Sequence, residues 1–134
     1  MATQIRTGSV EIMLGRVLSA VFLLAMGAIH LYYVLHGAGG LIGVLFVLNA
    51  FGGLVLAIAM VTAPRRFLPA ASVLSLLFLV GTLLALVLAL TVGLFGIHQQ
   101  IGAELVMTAL VVESIGALVL AVTAALAFRT RHAG

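Results

Sequence analysis

Four long apolar runs, separated by short connections rich in polar residues, glycine or proline, constrain this chain more than any other feature. The runs are Leu14 to Leu35, Leu41 to Ala63, Ala70 to Phe95 and Leu105 to Phe128. A bilayer core about 30 Å thick needs roughly 20 apolar residues at about 1.5 Å of helical rise each, and every run meets that length. The expected fold class is all-α: an integral-membrane bundle of four transmembrane helices forming a single domain over residues 1–134. Composition removes the soluble alternative, because 65% of the chain is hydrophobic and 7% charged, against about a quarter charged in soluble proteins. Glu11, Glu104 and Glu113 are the only carboxylate side chains and Lys is absent, so no segment has a polar face to show water.

The connections set the topology. His36-Gly37-Ala38-Gly39-Gly40 is a tight turn; Pro64 to Pro69 encloses Arg65 and Arg66; Gly96 to Glu104 is the longest and most polar link. Pro69 suits a first helical turn, where its missing N–H costs nothing. Arg6 and Arg16 precede the first run, Arg65 and Arg66 divide the second from the third, and Arg129 and Arg131 follow the fourth. The other two loops carry no Arg or Lys, so the positive-inside rule predicts both termini and the Pro64–Pro69 loop on the cytoplasmic side. The first run is too long for the apolar region of a cleaved signal peptide, about 7 to 15 residues.

Leu41 to Arg65 set against Leu105 to Arg129 gives nine identities in 25 positions. Gly52 falls on Gly116, Arg65 on Arg129 and Asn49 on Glu113, while Val17-Leu18-Ser19 through Phe22-Leu23 match Val73-Leu74-Ser75 through Phe78-Leu79. One reading is that two Leu-, Val- and Ala-rich helices match by composition alone. The other is a 2+2 internal duplication, which predicts a two-fold axis along the membrane normal with Asn49 and Glu113 at equal depth.

A charge at the centre of a membrane helix costs about 2.5 to 3.5 kcal/mol on insertion scales, so such groups face a bundle interior and often mark a site. Glu113, with Asn49 and with His30 approaching from the first run, is the candidate intramembrane polar site. A Glu113–His30 pair could exchange a proton; the bland alternative is that these residues only hydrogen-bond neighbouring helices. At the loops, His36, His98 and Glu104 are the one set able to offer imidazole and carboxylate ligands to a metal such as Zn²⁺, although their spacing forms no motif. A bis-histidine haem would need a second deep histidine opposite His30.

Several readings are structural. Ser72, Ser75, Thr82 and Ala89 form a small-residue stripe for helix packing, and Gly39-x-x-x-Gly43 fits a close-approach motif for dimers. Tyr32 and Tyr33 suit an interfacial belt, and Arg16 is expected to snorkel to the headgroups.

Other functions are excluded or disfavoured. No Cys is present, which removes disulfides, thiolate nucleophiles and Cys-bound metals. No HExxH, GxSxG or phosphate-binding glycine loop occurs, so no catalytic constellation is expected. The arginines are few and scattered, without a stacking platform, and nucleic acid is not an expected partner.

The segment Leu14-Gly15-Arg16-Val17-Leu18, continuing through Phe22 and Gly27 to His30-Leu31-Tyr32, resembles the first helix of the DoxX-like group of small four-span bacterial membrane proteins. The resemblance implies a four-helix fold and, because members are often described as quinone-linked or redox-accessory proteins, a redox association. The Arg-only cations and the Ala, Gly, Val and Leu bias suit a GC-rich bacterium, so the expected location is the bacterial cytoplasmic membrane. The preferred functional expectation is an accessory or interaction subunit in the lipid bilayer, self-associating or docked on a larger complex, with no cofactor of its own. The first alternative is a proton-coupled carrier or channel for a small solute using Glu113 and His30. The second is a redox accessory protein touching quinone or haem through His30.

Overall fold

Nothing in the first thirteen residues breaks a helix strongly, and intrahelical hydrogen bonds form as readily in headgroups and water as in lipid. In the computed structural model, which describes residues 2–132, helix α1 accordingly runs over Ala2–Leu35 and not merely over the apolar run. At about 1.5 Å per residue it is longer than the hydrocarbon is thick, so its N-terminal turns project beyond the apolar slab. α2 spans Gly40–Thr62, α3 Leu68–Thr91 and α4 Val106–His132. All four are long and apolar enough to cross a membrane, and the chain is a multi-pass all-α membrane protein.

Local chemistry explains each boundary. α2 stops before Pro64, which disfavours helical backbone at Ala63. α3 carries Pro69 in its first turn, as its sequence predicts. It ends at Thr91 instead of Phe95 because Gly93 takes φ +89° and donates its N–H to Leu88 O at 2.8 Å, a left-handed cap. The apolar residues beyond it fold into a turn in which Leu94 and Ile97 exchange two backbone hydrogen bonds, each 2.9 Å. Hydropathy ran on where the helix did not.

α1 packs against α2 and α4, α3 packs against α4, and α2 and α3 share the sparsest of these four seams. The helices thus form a ring of alternating direction with the arginine-bearing ends together. Bulky side chains such as Leu14, Leu48, Phe51, Leu77, Leu118 and Val122 point outward. Small and polar residues lie inside: Ser19, Ser72, Ser75 and Thr123 are buried beside Leu23, Met26, Leu79 and Leu120. Lipid tails take the outer side chains as readily as a protein core would, so tight backbone approach and hydrogen bonding decide what goes inside. Gly53 illustrates this, since a Cβ there would lie 2.9 Å from Leu23 O.

Two sequence features have partners within the chain. Arg16 Nε donates to Met60 O at 2.7 Å and its NH2 donates to Val61 O at 3.1 Å and Ala63 O at 2.6 Å. It caps the carbonyls orphaned at the C-terminus of α2, where a cation also meets the negative end of the helix dipole. The Gly39-x-x-x-Gly43 motif serves the α1–α2 turn, because a Cβ at Gly43 would meet Ala38 O at 2.6 Å. Its second glycine is required within the chain.

Candidate functional site

The helices pinch together near mid-length and separate toward the arginine-free end. At the pinch, a Cβ at Gly27 would lie 3.3 Å from Ala50 O, one at Gly52 3.0 Å from Phe78, and one at Gly116 3.0 Å from both Phe22 and Leu79. Leu23, Met26, Leu79 and Leu120 fill this level without any exposed surface. Beyond it lies a cavity of about 310 Å³ bounded by all four helices. The pinch forms the floor of that cavity. The roof comprises Leu94, Ile97 and Gln99 together with Ala38 and Gly39 of the α1–α2 turn, and Gln99 N–H donates to Ala89 O at 2.8 Å.

Glu113, Asn49 and His30 all line this one cavity, so the three residues singled out by the sequence are brought together. Glu113 is 2% exposed, and its Oε2 has no hydrogen-bond partner among the described residues; neither has Oδ1 of Asn49. His30 Nδ1 lies 2.9 Å from Met26 O. A carbonyl only accepts, so this contact assigns the proton to Nδ1 and leaves the Nε2 lone pair of the neutral ring free. The ring stands edge-on to Phe46 with centroids 5.0 Å apart. The remaining walls are mostly apolar, with Tyr33 and Thr82 the other polar side chains contributed by helices.

An orphaned buried polar atom costs about 1 to 3 kcal/mol, and native proteins carry few of them. Two such atoms on one cavity suit a binding site better than a packing contact. The site offers a carboxyl group, an amide oxygen and an imidazole lone pair inside an apolar chamber.

The loop residues are arranged differently. Tyr32 OH donates to Glu104 Oε1 at 2.7 Å, Tyr33 OH donates to Glu104 O, and His36 stacks on Tyr32 with centroids 3.9 Å apart. The tyrosines therefore tie the last loop onto α1, a role their belt reading did not include. His98 packs at Gly93, whose Cβ position lies 2.6 Å from the imidazole Cε1. Among the described residues no three His, Cys, Asp or Glu side chains form a group that could hold a metal ion, so His36, His98 and Glu104 do not assemble as a ligand set. Of the histidines, His30 is the one that lines the cavity, which leaves a bis-histidine haem without its second imidazole.

Phe46, Tyr33, Thr82 and Gln99 join the site without having been singled out for it. Phe46 precedes Asn49 by three residues and so shares its helix face, a spacing visible in the sequence. Gln99 carried no such signal, because loop geometry brings it over the cavity. No protein-family profile, curated protein or solved structure matches this chain.

Proposed function

We propose that the protein binds a small, largely apolar ligand within the membrane and belongs to the carrier class, with Glu113, Asn49 and His30 as its polar contacts. The observation that carries this reading is the pair of orphaned atoms, Glu113 Oε2 and Asn49 Oδ1, on a cavity bounded by every helix. A purely structural accessory subunit gains nothing from leaving them unpaired, whereas a ligand that pairs them recovers the cost of their burial. A channel is disfavoured because the floor of Leu23, Met26, Leu79 and Leu120 blocks the path toward the arginine end. By the positive-inside rule that end is cytoplasmic, and the cavity lies in the outer half of a bacterial cytoplasmic membrane.

The internal duplication is part of the same proposal. Carrying Val17 onto Val73 takes Ile29, His30 and Tyr33 of α1 onto Ala85, Leu86 and Ala89 of α3, and both sets line the cavity. Carrying Leu41 onto Leu105 takes Asn49 onto Glu113, which line it from α2 and α4. The contact of Gly52 with Phe78 then corresponds to that of Gly116 with Phe22. These correspondences support a cavity lying on a pseudo-two-fold axis.

Native mass spectrometry of the protein in lipid nanodiscs tests the ligand. The expected result is a bound small molecule retained by the unmodified chain and lost in both Glu113→Gln and Asn49→Ala. Adducts of lipid alone, equal in all three proteins, would refute the reading.

A further inference from the structure

The chemistry of the cavity narrows its occupant, on the premise that it binds a ligand. We propose that this ligand is a lipophilic organic amine, held as its ammonium cation by Glu113, with its apolar body lying along the α2/α3 seam toward the lipid.

The polar head follows from what the walls lack. Glu113 Oε2, Asn49 Oδ1 and the free Nε2 of His30 offer unpaired acceptors beside the amide donors of Asn49 and Gln99, and none of the six arginines lines the chamber. An anionic head would confront Glu113 with no cation to offset it, and a neutral acceptor would leave the Glu113 and Asn49 oxygens unpaired. A neutral alcohol brings one donor, whereas an ammonium brings up to three donors and the charge that a buried carboxylate needs. The rings of Phe46 and Tyr33 in the wall add faces that attract an organic cation.

The placement of the body follows from the two seams that the proposed axis would relate. The α1/α4 seam is closed by Gly15 against Thr123, by Ser19 Oγ donating to Thr123 Oγ1 at 3.4 Å, and at its far end by Tyr33 OH donating to Glu104 O. The α2/α3 seam holds Gly52 against Phe78 and, nearer the arginine end, Ser72 Oγ 3.9 Å from Met60 Sδ while its proton goes to Leu68 O at 2.8 Å. Between Leu45 and Leu86, beyond the pinch, both helices face the cavity. Leu45 lines the chamber and is 37% exposed, so a single side chain stands between the chamber and the lipid there. A ligand with an apolar body partitions into the bilayer, which makes the bilayer its source.

The test uses an alkylamine with a photoreactive diazirine at its tail end, together with the matching diazirine alcohol. Each is irradiated with the full chain in phosphatidylcholine nanodiscs and its label mapped by peptide mass spectrometry. The amine is expected to label α2 and α3 around Leu45 and Leu86. n-Octylamine is expected to compete and 1-octanol is not. Labelling at fixed probe should fall roughly ten- to hundredfold in affinity in Glu113→Gln, the loss typical of a charge-assisted hydrogen bond. The competition on the unmodified protein decides the question even if the variant does not fold. Equal labelling by the alcohol, competed by octanol, would overturn the amine assignment. Label on the Leu94–Gln99 roof would overturn the placement along the seam. If no competed label reaches the cavity while native mass spectrometry still finds a bound molecule, the amine is wrong and the binding site stands; if both are negative, both proposals fall.

Discussion

The α1/α4 seam allows one packing prediction to be worked through in numbers. A Cβ at Gly15 would sit 2.5 Å from Thr123 Oγ1 and 3.1 Å from its Cγ2, well inside van der Waals contact, and Thr123 is itself buried. In Gly15→Ala the helix gains up to about 1 kcal/mol of propensity but pays an overpacking cost of about 1 to 3 kcal/mol. Thr123→Ala alone removes the hydroxyl that accepts from Ser19 and leaves a void, a loss of about 1 to 3 kcal/mol. In the double variant the new methyl occupies space the threonine vacated, and Ser19 is free to bond the carbonyl four residues back, as Ser72 does with Leu68 O at 2.8 Å. The two changes should therefore be coupled favourably by about 1 to 3 kcal/mol. The double variant also copies the other seam, since the proposed duplication takes Gly15 onto Ala71 and Thr123 onto Ala59. Reversible unfolding in mixed micelles, followed by circular dichroism during an SDS titration of all four proteins, measures the coupling. Additivity within about 0.5 kcal/mol would refute the close packing on which the argument rests.

Two further predictions concern charged residues. Arg16→Leu is expected to destabilise the fold by about 2 to 4 kcal/mol in the same titration, because three carbonyl contacts at the end of α2 lose their donor. Arg16→Lys should recover only part of this, since a compact ammonium lacks the guanidinium fork; equal stability of Arg16→Lys and the unmodified chain would count against the clamp. Glu113→Leu should raise stability by about 1 to 3 kcal/mol, because it replaces a buried carboxyl whose Oε2 has no partner among the described residues with an apolar side chain of similar volume. The same variant should lose the native-mass-spectrometry adduct, and a marked loss of stability would instead make Glu113 a packing residue.

The candidate site is partly legible in the sequence. Glu113, Asn49 and His30 stood out because each is polar within an apolar run, and all three meet in one cavity. What the sequence hides has a common cause. Hydropathy carries the third run to Phe95 because Val92 to Phe95 is apolar except for Gly93, whose positive φ ends α3. The charge and position of Arg16 say nothing about which helix terminus lies beside it. Loop membership places His36, His98 and Glu104 together, yet Glu104 meets Tyr32 and His98 meets Gly93.

The sequence by itself determined the solvent of each segment, the number of helices and the end at which the arginines gather, because hydropathy and charge act residue by residue against lipid and water. Only the tertiary structure decided which face of each helix turns inward, how α1 clasps the end of α2, and where the ring parts to leave a chamber. The physical reason is that lipid and protein interior are almost equally apolar, so burial leaves no hydrophobic stripe to read. Inward faces are chosen by close approach at positions such as Gly53 and Gly116 and by hydrogen bonds between helices, and these exist only once the helices are assembled.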